Sequence, residues 1–161
     1  MSSRRIRILF LAATIAAAGA LPAAAQTYNL TATLTGAGEN PGINTGAFGT
    51  ATVTVDMATR TVTYRVDVFN LPSGVTASHI HAGAAGTNGP VVVNFAPPVP
   101  ASNDFGFSGT VRDTEFVLRP DVGIRSADDM FQAIVGGNSY VNVHSAVNGG
   151  GEIRGQLSVV K

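Results

Sequence analysis

The sequence predicts an all-β fold, an antiparallel Greek-key β-sandwich or barrel with one short helix near residues 126–135. Three observations predict it. Seven or eight short runs rich in Val, Thr, Ile and Tyr are separated by clusters of Gly, Pro, Asn and Asp, the spacing of an antiparallel sheet folded on itself. No helical periodicity alternates with those runs, so nothing supplies the crossovers of a parallel sheet. Only 12% of the residues are charged, about half the share of an ordinary soluble domain, so the polar faces are made by Thr, Ser, Asn and Gly.

Taken in order, Tyr28, Leu30, Ala32 and Leu34 alternate with Asn29, Thr31, Thr33 and Thr35, the period of a half-buried strand. Four glycines and Pro41 make 36–46 a loop. Thr50–Asp56 and Thr61–Val68 are joined by Met57–Arg60 and predict a hairpin. Leu71–Gly74 breaks the chain before a strand at Ala77–His81, and the Gly-rich stretch Ala82–Pro90 turns into another at Val91–Phe95. An irregular connection through Pro97, Pro98 and Pro100 precedes a strand at Phe105–Arg112. The helix is predicted by Ser126 with Asp129 three residues on, a shortened capping box, ahead of Met130, Phe131 and Ile134, with Gly136-Gly137 as its stop. Tyr140–His144 and Gly151–Val159 are the last strands, joined by an Asn148–Gly151 turn using left-handed positions.

The 161 residues carry ten basic and ten acidic groups, which excludes the basic footprint of a nucleic-acid binder. The absence of Cys excludes disulfides, Cys-ligated metal sites and thiol nucleophiles. Residues 1–25 have the pattern of a signal peptide: Arg4, Arg5 and Arg7, the apolar run Ile8–Leu21, then Ala23-Ala24-Ala25. The run is shorter than the roughly 20 residues of a membrane span, and Arg7 places general secretion ahead of a twin-arginine route. The expected mature chain is one β domain over 26–161, cleaved near Ala25 and periplasmic or secreted. It keeps seven basic and ten acidic residues, a formal charge of −3.

His79, His81 and His144 are the histidines of the chain, and all fall in predicted strands. Side chains at i and i+2 share one face, so His79 and His81 project together and Ile80 opposes them. His144 shares a face with Tyr140 and Asn142, with Val141 and Val143 opposite. On neighbouring strands the three rings would form a trigonal set with open positions, suited to copper first and zinc second. Against this stands the plain expectation that strand histidines complete hydrogen bonds. No fourth protein ligand is legible, since Met57 and Met130 fall in a turn and a helix. Ser78 and Ser145 face away from the neighbouring histidines. Gly83–Gly89 lacks the Lys and following helix of a phosphate loop. Asp128-Asp129 complements a helix dipole, and Glu152 and Arg154 predict a cross-strand ion-pair network.

His79-Ile80-His81-Ala82-Gly83, continuing to Asn88-Gly89-Pro90-Val91-Val92, resembles the first half of the chordin-type (CHRD) domain signature. Tyr140-Val141-Asn142-Val143-His144, then Asn148 and Gly150-Gly151-Glu152-Ile153-Arg154-Gly155-Gln156, resembles the second half, with Gly149 where the family often has Pro. The resemblance spans the expected mature chain. It implies an exported all-β module, without a settled activity for stand-alone bacterial members and without the growth-factor binding of the cysteine-rich modules. A looser likeness is to copper/zinc superoxide dismutases, in which an H-x-H pair and a later Val-Val-His hold copper. It implies a mononuclear copper site at His79, His81 and His144 with Arg154 as an anion guide. The bridging histidine, the zinc ligands and the disulfide of the two-metal enzyme are missing.

Together these readings give an exported module that binds copper for buffering, delivery or small-molecule redox. The alternative is a cell-envelope structural or protein-interaction module without metal or catalysis. Binding is placed ahead of catalysis, and any turnover is expected to be of the copper dismutase kind. A metal ion and an unnamed protein are the expected partners, with no nucleic acid and no membrane span in the mature chain.

Overall fold

A computed structural model describes residues 26–98 and 102–161. The signal peptide assigned to residues 1–25 lies outside the described residues, as does Pro100. The strands are β1 (Thr27–Thr35), β2 (Phe48–Asp56), β3 (Thr61–Phe69), β4 (Val75–Ala82), β5 (Val91–Asn94), β6 (Phe105–Arg112), β7 (Ser139–Ser145), β8 (Ile153–Gln156) and β9 (Ser158–Val159), with helix α1 (Ala127–Val135) between β6 and β7.

The sheet runs β5-β4-β7-β8-β1-β2-β3-β6, with β9 added to β1, and its registered pairs are antiparallel. β1, β2 and β3 form a meander. The chain then crosses to β4 and β5, returns to place β6 beside β3, and crosses again to place β7 beside β4. These crossings are the Greek-key connections expected of the sequence. The two edges, β5 and β6, are brought together by aromatic rings. Phe95, just past β5, stacks on Tyr64 of β3 at 3.8 Å between centroids, and Phe107 of β6 meets Tyr64 edge-on at 6.1 Å. The Tyr64 hydroxyl also accepts from the Ala96 amide at 3.1 Å, so the open side of the barrel is closed by side chains where the ladder ends.

Period-2 alternation fills the interior as expected. Leu30, Ala32 and Leu34 of β1, Ala51, Val53 and Val55 of β2, and Val62, Tyr64, Val66 and Val68 of β3 are all buried. Ile80, Val141, Val143 and Ile153 are fully buried on the other side of the barrel, each side chain contributing about 1.5–3 kcal/mol. α1 plugs one end of the core with Met130, Phe131 and Ile134. Ser126 Oγ accepts from the Asp129 amide at 3.1 Å, and the Asp129 carboxylate accepts from Ser126 Oγ and the Arg125 amide, both at 2.9 Å. The shortened box therefore reaches the amide before the cap, where a Glu would bond the cap's own.

Two expectations change in detail. The last predicted strand is split at Leu157, which is 1% exposed; β8 lies between β7 and β1, meeting β1 at Thr35–Arg154, while β9 pairs with β1 further along at Leu30 and Thr31. In the turn before β8 the positive φ falls on Gly151 alone, at 133°.

Candidate metal centre

β4 and β7 pair with His79 opposite Asn142, His81 opposite Tyr140 and Ala77 opposite His144, after a register shift between Val75 and Ala77. The alternation that buries Ile80, Val141 and Val143 in the barrel sends all three imidazoles to the outer face. That face is covered as well. The connection from β4 to β5 and the segment between β1 and β2 fold over it and clasp each other: Asn88 Nδ2 donates to Asn40 O at 2.7 Å, and Asn40 Nδ2 to Gly86 O at 2.8 Å. Every residue of β7 is buried as a result, with His81 9% and His144 8% exposed. His79 is the half-buried member.

The three rings offer one nitrogen each, all within 4.8 Å of one another. Hydrogen bonds fix two of the tautomers. His81 Nδ1 lies 2.8 Å from Gly89 O, and His144 Nδ1 lies 2.9 Å from Gly149 O. A carbonyl only accepts, so each Nδ1 carries the proton and each Nε2 carries a lone pair. His79 Nδ1 approaches His144 Nε2 at 3.1 Å, donating to it when no ion is held. His81 Nε2 is buried without any partner, an unmet lone pair aimed into the cluster. Nitrogens bound to one ion at about 2.0–2.1 Å in a tetrahedral or trigonal set stand about 3.3–3.6 Å apart. The His79–His144 pair at 3.1 Å is already close to that spacing, and a pair at the outer limit has to close by about 1 Å. The donor set fits a divalent or monovalent imidazole-binding ion.

Burial, then the neighbouring His144 and His81, pushes His79 down to about 4. His81 is also lowered, by burial first and by His144 and Arg154, against the raising effect of its Gly89 bond. Both rings are therefore neutral, with lone pairs available, near neutral pH.

Tyr140 and Arg154 back the site. The Tyr140 ring stacks on His81 at 4.9 Å between centroids with 8° between planes, and the Arg154 Cζ lies 3.8 Å from its centroid on a cation–π contact. Arg154 is 3% exposed. Its Nη1 donates to Asn88 Oδ1 at 2.9 Å and its Nη2 to Thr87 O at 2.8 Å, so the candidate anion guide ties down the loop that carries Gly89. The predicted Glu152–Arg154 network does not form among the described residues. Glu152, 1% exposed, accepts from Thr45 Oγ1 at 2.6 Å instead. Burial raises its carboxyl, but hydrogen-bonding groups around it, Thr45 among them, outweigh that and hold it below its ordinary value. The serines next to the histidines turn elsewhere, Ser78 Oγ to Asn142 O and Ser145 Oγ to the Asn148 amide.

Glu39 escaped the sequence reading. A lone acid in a Gly-rich loop has no periodicity to place it, yet both its carboxyl oxygens lie 3.2 Å from Asn142 Nδ2, beside the histidines. Gly151 covers the pair, and a Cβ there would meet Asn142 Nδ2 at 2.6 Å and Glu39 Oε1 at 2.7 Å. With its φ of 133°, Gly151→Ala is expected to cost about 1–3 kcal/mol, read as a lower urea midpoint. An unchanged midpoint would show that the Glu39–Asn142 contact yields freely.

An all-β barrel with three convergent imidazoles under a loop clasp defines a β-scaffold protein with a candidate mononuclear metal centre. The CHRD domain model matches residues 30–157, and the chain belongs to that family. None of the curated proteins and no solved structure matches it, so the looser likeness to the copper/zinc superoxide dismutase barrel finds no counterpart there. Among the described residues no helix is long and apolar enough to cross a membrane.

Proposed function

We propose that this CHRD-domain chain is an exported module that binds a single metal ion, copper ahead of zinc, through His79, His81 and His144. The observation that carries the proposal is the cluster itself: three ring nitrogens within 4.8 Å, one of them buried and unpaired. Imidazole suits copper and zinc, and copper stands highest in the order of divalent affinities. Bound copper supplies one-electron chemistry, or is simply stored and handed on. The chain's own residues orient the donors: Gly89 and Gly149 hold two rings by their Nδ1 protons, Tyr140 backs His81, and Arg154 anchors the loop bearing Gly89. Arg154 acts on an incoming anion through its field, which reaches His81. Export rests on the Arg4–Ala25 pattern.

The test is competitive titration of the untagged chain with Cu(II), with an expected uptake of about one equivalent. Proton competition has a definite sign. Three ordinary imidazoles would together lose about 10⁴-fold in affinity between pH 7.5 and pH 5. Because His79 stays neutral down to about 4 and His81 is lowered too, a smaller loss is expected, steepening toward pH 4. The same shift is linked to folding. The unfolded chain protonates His79 near 6.5 and the folded chain near 4, so its contribution to stability is present above 6.5 and is lost as pH falls through that window.

One contact favours the other reading, a structural or interaction module. The 3.1 Å bond between His79 and His144 pairs two of the rings with no ion present. Absence of uptake from pH 6 to 8 would leave that reading in place of the metal one.

A further inference from the structure

Glu39 has no part in holding the three rings, and its surroundings are unusual for an acid. It is half-buried between two cavities, one of about 330 Å³ bordered by Gly86 and Arg154 and one of about 390 Å³ bordered by Asn88 and Gly149. Its hydrogen-bond partner is the Asn142 amide, whose Oδ1 is buried with no donor. With that amide turned over, Oδ1 takes the place facing the carboxyl, and a proton on one carboxyl oxygen supplies the donor that Oδ1 lacks. Burial raises Glu39 to about 7 against the lowering effects of Arg154 and the Asn142 bond.

The groups facing Glu39 are few. Arg154 of β8 is the fixed cation, and beyond Asn142 lie the rings of His79 on β4 and His144 on β7. The two loops that close over it, 83–90 and 145–151, contain no charged side chain. Glu152, the other acid under the cover, is already held by Thr45. The fixed charges under the cover, Arg154 and the ionised Glu152, already offset each other, so a cation bound by three neutral imidazoles adds an unbalanced positive charge, and Glu39 is the acid placed to balance it.

We propose that Glu39 is the counter-charge of the three-histidine centre, a neutral carboxylic acid when the rings hold no cation and a carboxylate when they do. The O–H bond breaks on loading and its proton leaves to solvent. This rests on the metal reading above. Asn142 lies directly opposite His79 and two residues from His144, so Glu39 is one side chain removed from the ion. A divalent charge at that range lowers a carboxyl by on the order of a unit or more. By reciprocity, ionised Glu39 strengthens cation binding by about tenfold or more.

The experiment counts protons released per Cu(II) bound, from titrations in two buffers of different ionisation enthalpy, for the wild-type chain and Glu39→Gln. Glutamine matches the shape of the neutral acid and should preserve the fold, which a thermal melt checks. Glu39→Ala, measured alongside, carries the same expectation. At pH 6 the variants are expected to bind one ion and release about half a proton fewer than wild type, and at pH 8 the difference should vanish. At pH 8 they should bind about tenfold more weakly. Equal proton release at pH 6, with uptake intact, overturns the counter-charge and leaves the metal site standing. Loss of uptake in variants with a native melt also overturns it, since Glu39 would then be a ligand. No uptake by any of the three chains overturns the metal reading and this inference with it.

Discussion

His81→Gln is expected to abolish stoichiometric copper uptake while leaving the barrel folded. The two halves of that expectation have separate grounds. His81 supplies the buried nitrogen with no other partner, so removing it takes away a ligand whose lone pair nothing else uses. Outer partners of metal ligands typically cost 10–100-fold in affinity when removed, and loss of a ligand should exceed the top of that range, to more than about 100-fold. The side chain stands outside the barrel, on the opposite face of β4 from fully buried Ile80, so the core is untouched. Glutamine still stacks beside Tyr140 and can donate to Gly89 O. Competitive titration with Cu(II) and a thermal melt read the two halves independently. Wild-type affinity in the variant would remove His81 from the site, and a collapsed melt would show that the ring holds the loop more than it holds an ion.

Strand parity is strict, and it makes the faces of this site legible in the residue pattern. Once 77–81 and 140–144 are strands, the faces of His79, His81 and His144 follow from counting by twos, and Ile80, Val141 and Val143 must take the core. Parity says nothing about which strands are neighbours. The convergence of the rings depends on the β4–β7 pairing and on the shift between Val75 and Ala77 that sets Ala77 opposite His144, a long-range register with no local signal. The same limit hid the cover. Alternation gives each strand two faces but does not say which polar face is covered, and the Asn40–Asn88 clasp buries β7 on both sides. That cover changes the meaning of the polar residues beneath it. Glu152 and Arg154, expected to form a cross-strand ion-pair network, are instead two separate anchors, one for the segment at Thr45 and one for the loop at Thr87 and Asn88. Glu39 could not have been placed at all, since its burial is created by loops whose path only the fold determines.

Arg154→Met is expected to lower stability by about 2–4 kcal/mol, and Arg154→Lys by nearly as much. The guanidinium is 3% exposed and makes three contacts: the Tyr140 face, Asn88 Oδ1 and Thr87 O. A hydrogen bond to a charged group contributes about 1.5–3 kcal/mol, and an acceptor left buried and unpaired costs about 1–3 kcal/mol. Removing the cation–π contact adds up to about 2 kcal/mol when desolvated. Partial relaxation of the loop keeps the total below the sum. Lysine retains the charge but not the planar fork that spans two acceptors while lying on a ring, so a structural anchor predicts that it fails almost as methionine does. A field acting on anions predicts the reverse, because the charge is what matters there. Urea midpoints of the two variants measure the anchor. The effect of salt on azide binding to the copper-loaded chain measures the field. The anchor also bears on the metal: Thr87 and Asn88 lead directly to Gly89, whose carbonyl fixes His81, so both variants should weaken copper by about 10–100-fold. If lysine restores both stability and copper affinity to wild type, the loop does not depend on the fork and Arg154 serves the centre by charge alone.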